Sequence, residues 1–166
     1  MTSLLAVSNP AEAVDAARVN QAIDRGAAYL RSQMSSWADS REASLVALAL
    51  LKAKVSGDSP ELQGVVGKIR EKIMDGRYTP KSDHVYEAAS DAQFLADLGG
   101  EQYKAELQAM TNYIISVRFP TGGWDYPEGS GHFRNTQGDT SVTQYACLGL
   151  WAATRSGVDV PLEIWN

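Results

Sequence analysis

Three segments of the chain carry a narrow apolar stripe at helical spacing, each with charged residues on its other faces: Val19, Ile23, Ala27 and Leu30; Leu62, Val66, Ile69 and Ile73; and Tyr103, Leu107, Met110 and Ile114. Between and after them lie two segments that are apolar nearly all round, Leu45 to Leu51 and Tyr145 to Ala153. A helix of that kind is buried on most sides, whereas a striped helix turns one face to a core and the rest to solvent. His84 to Leu98 occupies the corresponding place in the middle of the chain, with more polar residues. The pattern predicts an all-α fold in which outer and inner helices alternate, as antiparallel helical hairpins in two layers. Strand signals are few, and Gly122 to Asp139 reads as a long loop.

Turn chemistry falls where each helix should stop. Ser56-Gly57, Gly99-Gly100 and Ser156-Gly157 supply residues able to take the left-handed conformation after a helix end. Asp39 with Glu42 has the spacing of a capping box, Ser59-Pro60 reads as an N-cap followed by the first helical position, and Asp139 stands as N-cap of the last inner helix. Superposing Gly57 on Gly157 aligns Leu48 with Leu148, Leu50 with Leu150 and Ala53 with Ala153, so the hairpin recurs. A middle copy pairs Phe94 with Trp151 and Gly100 with Gly157. Repeats of this size cannot bury their faces alone and must stack. The chain divides into an N-terminal extension, residues 1–18, and a repeat domain of three hairpins, residues 19–166. Its last residues place Pro161 at the first turn of a helix that stops almost at once, which suggests a chain cut from a longer protein.

Charge and composition narrow the function. With 15 Lys and Arg against 20 Asp and Glu, the chain lacks the basic surface of a nucleic-acid binder. A single cysteine, Cys147, excludes an internal disulfide and a cysteine cluster for zinc, and its apolar helix predicts a buried structural thiol. No apolar run approaches the ~20 residues that span a bilayer, so no transmembrane segment is expected. The first residues lack the basic start of a secretory signal and fit the tail of a trimmed one, leaving a soluble protein of either compartment, cytoplasmic or exported.

Tyr113-Ile114 followed by Gly122-Gly123-Trp124 resembles the QW repeat of squalene-hopene cyclases and protein prenyltransferase β-subunits, with Arg118 at the glutamine position of that pattern. A second copy, Tyr29-Leu30 with Ser36-Trp37, has Met34 at the glutamine position and no glycine. The segment DTSVTQYACLGLWAATRSGVDVP is similar to the inner helix and turn of prenyltransferase and squalene-oxidase repeat proteins, many of them bacterial and without known activity. The resemblance, covering Val19 to Trp165, implies part of an α/α-toroid, about half a ring of inner helices inside outer ones with a ligand cavity on the axis. It implies that the rest of the same polypeptide or a second copy completes the ring, and that an apolar or isoprenoid ligand is the natural occupant.

The chemistry of that class is not recognisable here. Where class II terpene cyclases carry an Asp-rich acid motif, this chain reads Thr136-Gln137-Gly138-Asp139, so only one carboxylate remains. Neither an Asp-rich magnesium motif nor the zinc set of the prenyltransferases is found, Val142 standing where the histidine of the latter falls. No phosphate loop, Ser-His-Asp constellation or zinc-protease helix appears, and no cofactor or metal is expected. The most suggestive polar group is His84, Glu87 and Asp91, at i, i+3 and i+7 on one helical face. In one reading Glu87 or Asp91 is a general acid or base in the cavity, with His84 at its mouth. In the other the face is solvated near a helix start. Gln144 on the last inner helix, and Trp124, His132 and Arg134 in the long loop, are further ligand-binding candidates, although the tryptophan of a QW repeat is chiefly structural. Three functions are compatible with these residues. They are a non-catalytic repeat module for binding or assembly, an isoprenoid cyclase or transferase with its site mostly outside this chain, and an α/α-barrel carbohydrate enzyme using Glu87 and Asp91.

Overall fold

A computed structural model describes residues 15–37, 42–82, 84–131 and 137–165. The fold is all-α with one two-stranded ribbon. Its elements are α1 (Ala16–Trp37), α2 (Ala43–Lys52), α3 (Pro60–Arg70), β1 (Ile73–Met74), β2 (Arg77–Tyr78), α4 (His84–Gly99), α5 (Lys104–Ser116) and α6 (Thr140–Arg155), with short 3₁₀ turns at Gly100–Tyr103 and Leu162–Trp165. α4 is the hub, lying against α6, α2 and α5; α1 and α3 both pack on α2, and α5 also packs on α6. The inner row is therefore α2, α4, α6, and α1, α3 and α5 flank it. Among the described residues no helix is long and apolar enough to cross a membrane.

Two sets of ion pairs follow these rows. Arg31 of α1 meets Glu61 of α3 at 2.7 Å, and Arg70 of α3 meets Glu106 of α5 at 2.8 Å. In the inner row Asp97 of α4 accepts Lys52 of α2 at 2.6 Å and Arg155 of α6 at 3.3 Å. These partly exposed pairs fix neighbours in register and add little stability. The inner row owes its cohesion to small residues. A Cβ built on Gly149 would stand 2.8 Å from the Cα and 2.9 Å from the Cβ of Ala89, so α4 and α6 touch there nearly backbone to backbone. Phe94, Leu50, Leu95, Leu107, Met110, Ile114 and Leu150 belong to the same core, all fully buried.

The stripe of α5 is buried throughout, from Tyr103 to Ile114. That of α3 ends at Ile69, because the helix stops at Arg70 and Ile73 enters β1. Only the second half of the α1 stripe is covered: Ala27 and Leu30 pack on the core, while Val19 and Ile23 are 40% and 46% exposed. α6 is not enclosed as its composition suggests, since Gln144, Cys147, Leu148 and Trp151 are exposed. Cys147 is thus a surface thiol and not a buried one.

Cap geometry also departs from expectation. Ser59 and Pro60 stand as N-cap and first helical residue, and Asp139 caps α6 by accepting from the amides of Ser141 and Val142 at 2.9 Å. Glu42 is itself the N-cap of α2, its side chain making no capping bond to the first turn, so it does not sit at the third position of a capping box, and Asp39 lies outside the described residues. Of the four candidate glycines only Gly157 is left-handed, at φ 79°; in the first hairpin Lys54 takes that role at φ 67°. Both ends are Schellman motifs. The Val55 amide donates to Leu50 and the Val158 amide to Ala153, at 3.1 Å each, while Lys54 and Gly157 donate to Leu51 and Thr154 at 3.0 Å. Lys54 is therefore the counterpart of Gly157, and the repeat register slips by three from the glycine alignment. Gly57 and Gly100 serve close packing instead, against Leu98 and Ser156.

Gly149→Ala should destabilise the protein by about 1–3 kcal/mol through the clash with Ala89. Gly64→Ala in α3, with open space at its Cβ, should stabilise by about 0.5–1 kcal/mol. Denaturant unfolding of the two variants checks the contrast.

Candidate functional site

The polar face of α4 meets the ribbon that follows α3. Asp75 and Gly76, at φ 50° and 72°, reverse the chain in two residues, the geometry of a primed hairpin turn. Ile73 then pairs with Tyr78 and Met74 with Arg77. The reversal brings Lys72, just before β1, and Tyr78, in β2, onto the face where Glu87 and Asp91 stand one turn apart. The Lys72 ammonium lies 2.6 Å from Glu87 Oε1 and 2.7 Å from Asp91 Oδ2. The Tyr78 hydroxyl donates to Asp91 Oδ2 at 2.7 Å, and Ser44 of α2 donates to Asp91 Oδ1. Glu87 Oε2 accepts the backbone amides of Lys81 and Ser82, each at 2.9 Å. All four carboxylate oxygens are thus partnered. Glu87 is 3% exposed, Asp91 1% and the Lys72 side chain 9%.

Both expectations for this face are overturned. The face is not solvated, and its acids do not stand free in a cavity. They are locked around a cation by groups from α2, the ribbon, the loop before α4, and α4 itself. Neither Lys72 nor Tyr78 stood out in sequence, although the Asp75-Gly76 dipeptide between alternating residues is the strongest short hairpin signal and was the cue to both.

Electrostatics agree with a closed cluster. Burial alone would drive the Lys72 ammonium to lose its proton, but Asp91 and Glu87 together outweigh it and hold its pKa above the ordinary lysine value. Burial pushes the Asp91 carboxyl up, and the bonds from Lys72, Ser44 and Tyr78 offset only part of that rise. Tyr78 is likewise driven upward by burial and by the adjacent carboxylates, so it stays a neutral donor. Beside the cluster, His84 opens α4 in the left-handed region, φ 43°, and its Nδ1 lies 2.9 Å from the Tyr113 hydroxyl. The Tyr113 ring leans on Tyr78 at 5.6 Å, and burial, with the charge of Glu87, raises its hydroxyl to about 12. His84 therefore joins the same network through Tyr113 and Tyr78.

Trp124 is buried at 2%, and its indole N–H donates to the Ile114 carbonyl of α5 at 2.7 Å. Its main chain exchanges bonds with Thr143 of α6 and accepts the Asp139 amide, and the Arg118 guanidinium stacks over its ring at 5.5 Å. Trp124 staples the loop to α5 and α6 and is enclosed, not presented to a ligand. His132 and Arg134 lie outside the described residues.

The other side of the inner helices is the accessible one. Tyr86 of α4 packs edge-on against Tyr145 of α6 at 4.7 Å and leans on Tyr126 at 5.9 Å. Its hydroxyl, raised to about 12 chiefly by burial, lies 2.7 Å from Ser141 Oγ and 3.3 Å from the Tyr126 hydroxyl. Ser141 in turn donates to Asp139 Oδ1, so a chain of hydroxyls runs from Tyr126 to the carboxylate that caps α6. Gln144 is exposed one turn along from Ser141. Two shallow clefts of about 320 and 410 Å³ lie elsewhere, one beside Lys104 and Arg155 and one beside Thr121 and Thr140, and neither includes Glu87 or Asp91. Among the described residues no group of three or more His, Cys, Asp or Glu is placed to hold a metal ion. No family profile, curated protein or solved structure matches the chain.

Lys72→Met should cost about 3–5 kcal/mol, because two buried carboxylates lose their cation. Burial already raises the Asp91 carboxyl, so without the cation's offset the loss grows as pH rises through the carboxylate range and shrinks in acid. Asp91→Asn, which leaves one carboxylate to one ammonium, should cost only about 1–2 kcal/mol. Urea unfolding of the three proteins across the acid range checks both signs.

Proposed function

We propose that the chain is a non-catalytic helical-repeat module of the squalene-cyclase and prenyltransferase-like kind, and that it binds an apolar ligand on the accessible side of its inner helices. The observation that carries this reading is the division of chemistry between the two sides of α4. On one side Glu87 and Asp91, the acids best placed by sequence for catalysis, are sealed and fully bonded around Lys72. A general acid or base has to reach a substrate proton within hydrogen-bond distance, and groups this buried have no such path. On the other side Tyr86, Tyr126 and Tyr145 offer partly exposed rings with hydroxyls held in a bonded chain. Rings fixed against one another bury apolar surface at small cost in rotamer entropy, which favours them as ligand platforms.

The carbohydrate-enzyme alternative needs two carboxyl groups facing each other across an open cleft. Glu87 and Asp91 instead share one ammonium on the same helix face. The partial-ring alternative, an isoprenoid enzyme with its site outside this chain, shares the binding face but places no catalytic group on it.

Farnesol serves as the apolar isoprenoid probe. It should quench tyrosine and tryptophan fluorescence saturably, with affinity lowered at least tenfold in Tyr86→Ala and Tyr145→Ala, and farnesyl diphosphate should be recovered unchanged after incubation. Turnover of the diphosphate, or binding indifferent to both substitutions, contradicts the reading.

A further inference from the structure

The inner row joins α2 to α4 and α4 to α6, and it leaves Cys147, Trp151 and Thr154 of α6 exposed. The Schellman caps give the register in which helices correspond: Lys54 with Gly157, hence Ser44 with Cys147, Leu48 with Trp151 and Leu51 with Thr154. In α2 these positions are covered. Ser44 is 3% exposed and bonds Asp91 of the next inner helix, while Leu48 and Leu51 pack on the core. In α6 the matching residues are exposed, with Trp151 at 54%. What covers this kind of face inside the molecule is another hairpin of the same kind.

The opposite end of the array supplies a counterpart. The α1 stripe is one apolar row, of which Ala27, Leu30 and Met34 meet the core. Val19 and Ile23, further along the same row, meet nothing comparable and remain 40% and 46% exposed. Among the described residues, Val19 and Ile23 are exposed apolar residues at the first end and Trp151 at the second, whereas Leu45 and Leu148, equivalent in this register, are exposed alike.

We infer that a second copy of this chain docks head to tail. The first hairpin of one copy, with Val19 and Ile23, covers Cys147 and Trp151 on α6 of the other. The contact continues the packing that already joins α2 to α4 and α4 to α6. Because it uses two different surfaces, it is heterologous, and each copy keeps a free head and tail until a ring closes. The inference is independent of the ligand-binding reading: the residues it uses do not include Tyr86, Tyr126 or Tyr145.

Light scattering on the full chain tests it. The wild type should show at least twice the mass of one chain. Ile23→Glu, which spoils the head, and Trp151→Glu or Cys147→Glu, which spoil the tail, should each run as a folded monomer, with unaltered circular dichroism. Mixing a head variant with a tail variant should restore a dimer, since one intact head and one intact tail remain. A monomeric wild type up to its solubility limit overturns the proposal. So does an Ile23→Glu protein that still dimerises, because a tail-to-tail contact would then be at work.

Discussion

One ammonium between two buried carboxylates is the constraint on which the rest of this structure turns. Lys72 sits where water cannot screen it, with Glu87 and Asp91 at hydrogen-bond distance. Two acids and one base leave an excess negative charge in the interior, and an excess charge there is costly unless further donors meet it. The donors come from three surrounding segments: Ser44 from α2, Tyr78 from the ribbon, the Lys81 and Ser82 amides from the loop before α4. Satisfying the cluster therefore requires that α2, the ribbon and α4 all be in place at once. Such a cluster adds little net stability over an apolar core, but it admits few alternative arrangements, and this ties the order of elements to one geometry.

That closed side explains the character of the open one. With its acids committed to α2 and the ribbon, α4 turns toward solvent through Tyr86 and Gln93, half-buried, and through Asp97, which holds the neighbouring inner helices by Lys52 and Arg155. Gly149 lets α6 come close to Ala89, which in turn sets Tyr145 against Tyr86. The Tyr86–Tyr145 pair is a product of helix packing, and Tyr126 joins it from the long loop. The Trp124 staple acts from the other end, pinning the long loop so that Asp139 can cap α6.

Much of this was legible in the residues, and the failures are instructive. The stripe of α5, the Pro60 start and the Asp139 cap follow from local chemistry, and local chemistry decided them. The structural role of Trp124 followed from the resemblance of its Gly-x-Trp setting, and the packing agrees. Burial around α6 was misread because an apolar composition says what a helix can bury, while the neighbours available decide what it does bury; hence the exposed Cys147 and Trp151. Gly57 looked like a helix terminator, yet Lys54 accepts the left-handed turn and Gly57 is small for the sake of Leu98. His84, Glu87 and Asp91 were correctly placed on one face, but what that face would meet depended on Lys72 and Tyr78, which a two-residue turn delivers from outside the helix pattern. A period of helical spacing carries no information about a partner that arrives by a hairpin.

The central claim is that Glu87 is sealed in the cluster and organises the loop before α4. Native-state hydrogen exchange of the Lys81 and Ser82 amides tests it most directly. These two lie in a short irregular segment, and their acceptor is the Glu87 carboxylate. The account predicts protection close to that of the α4 interior, because releasing them requires the whole cluster to open. Exchange at the rate of an exposed loop would show that the carboxylate is free of them, and the closed side of α4 would then have to be given up.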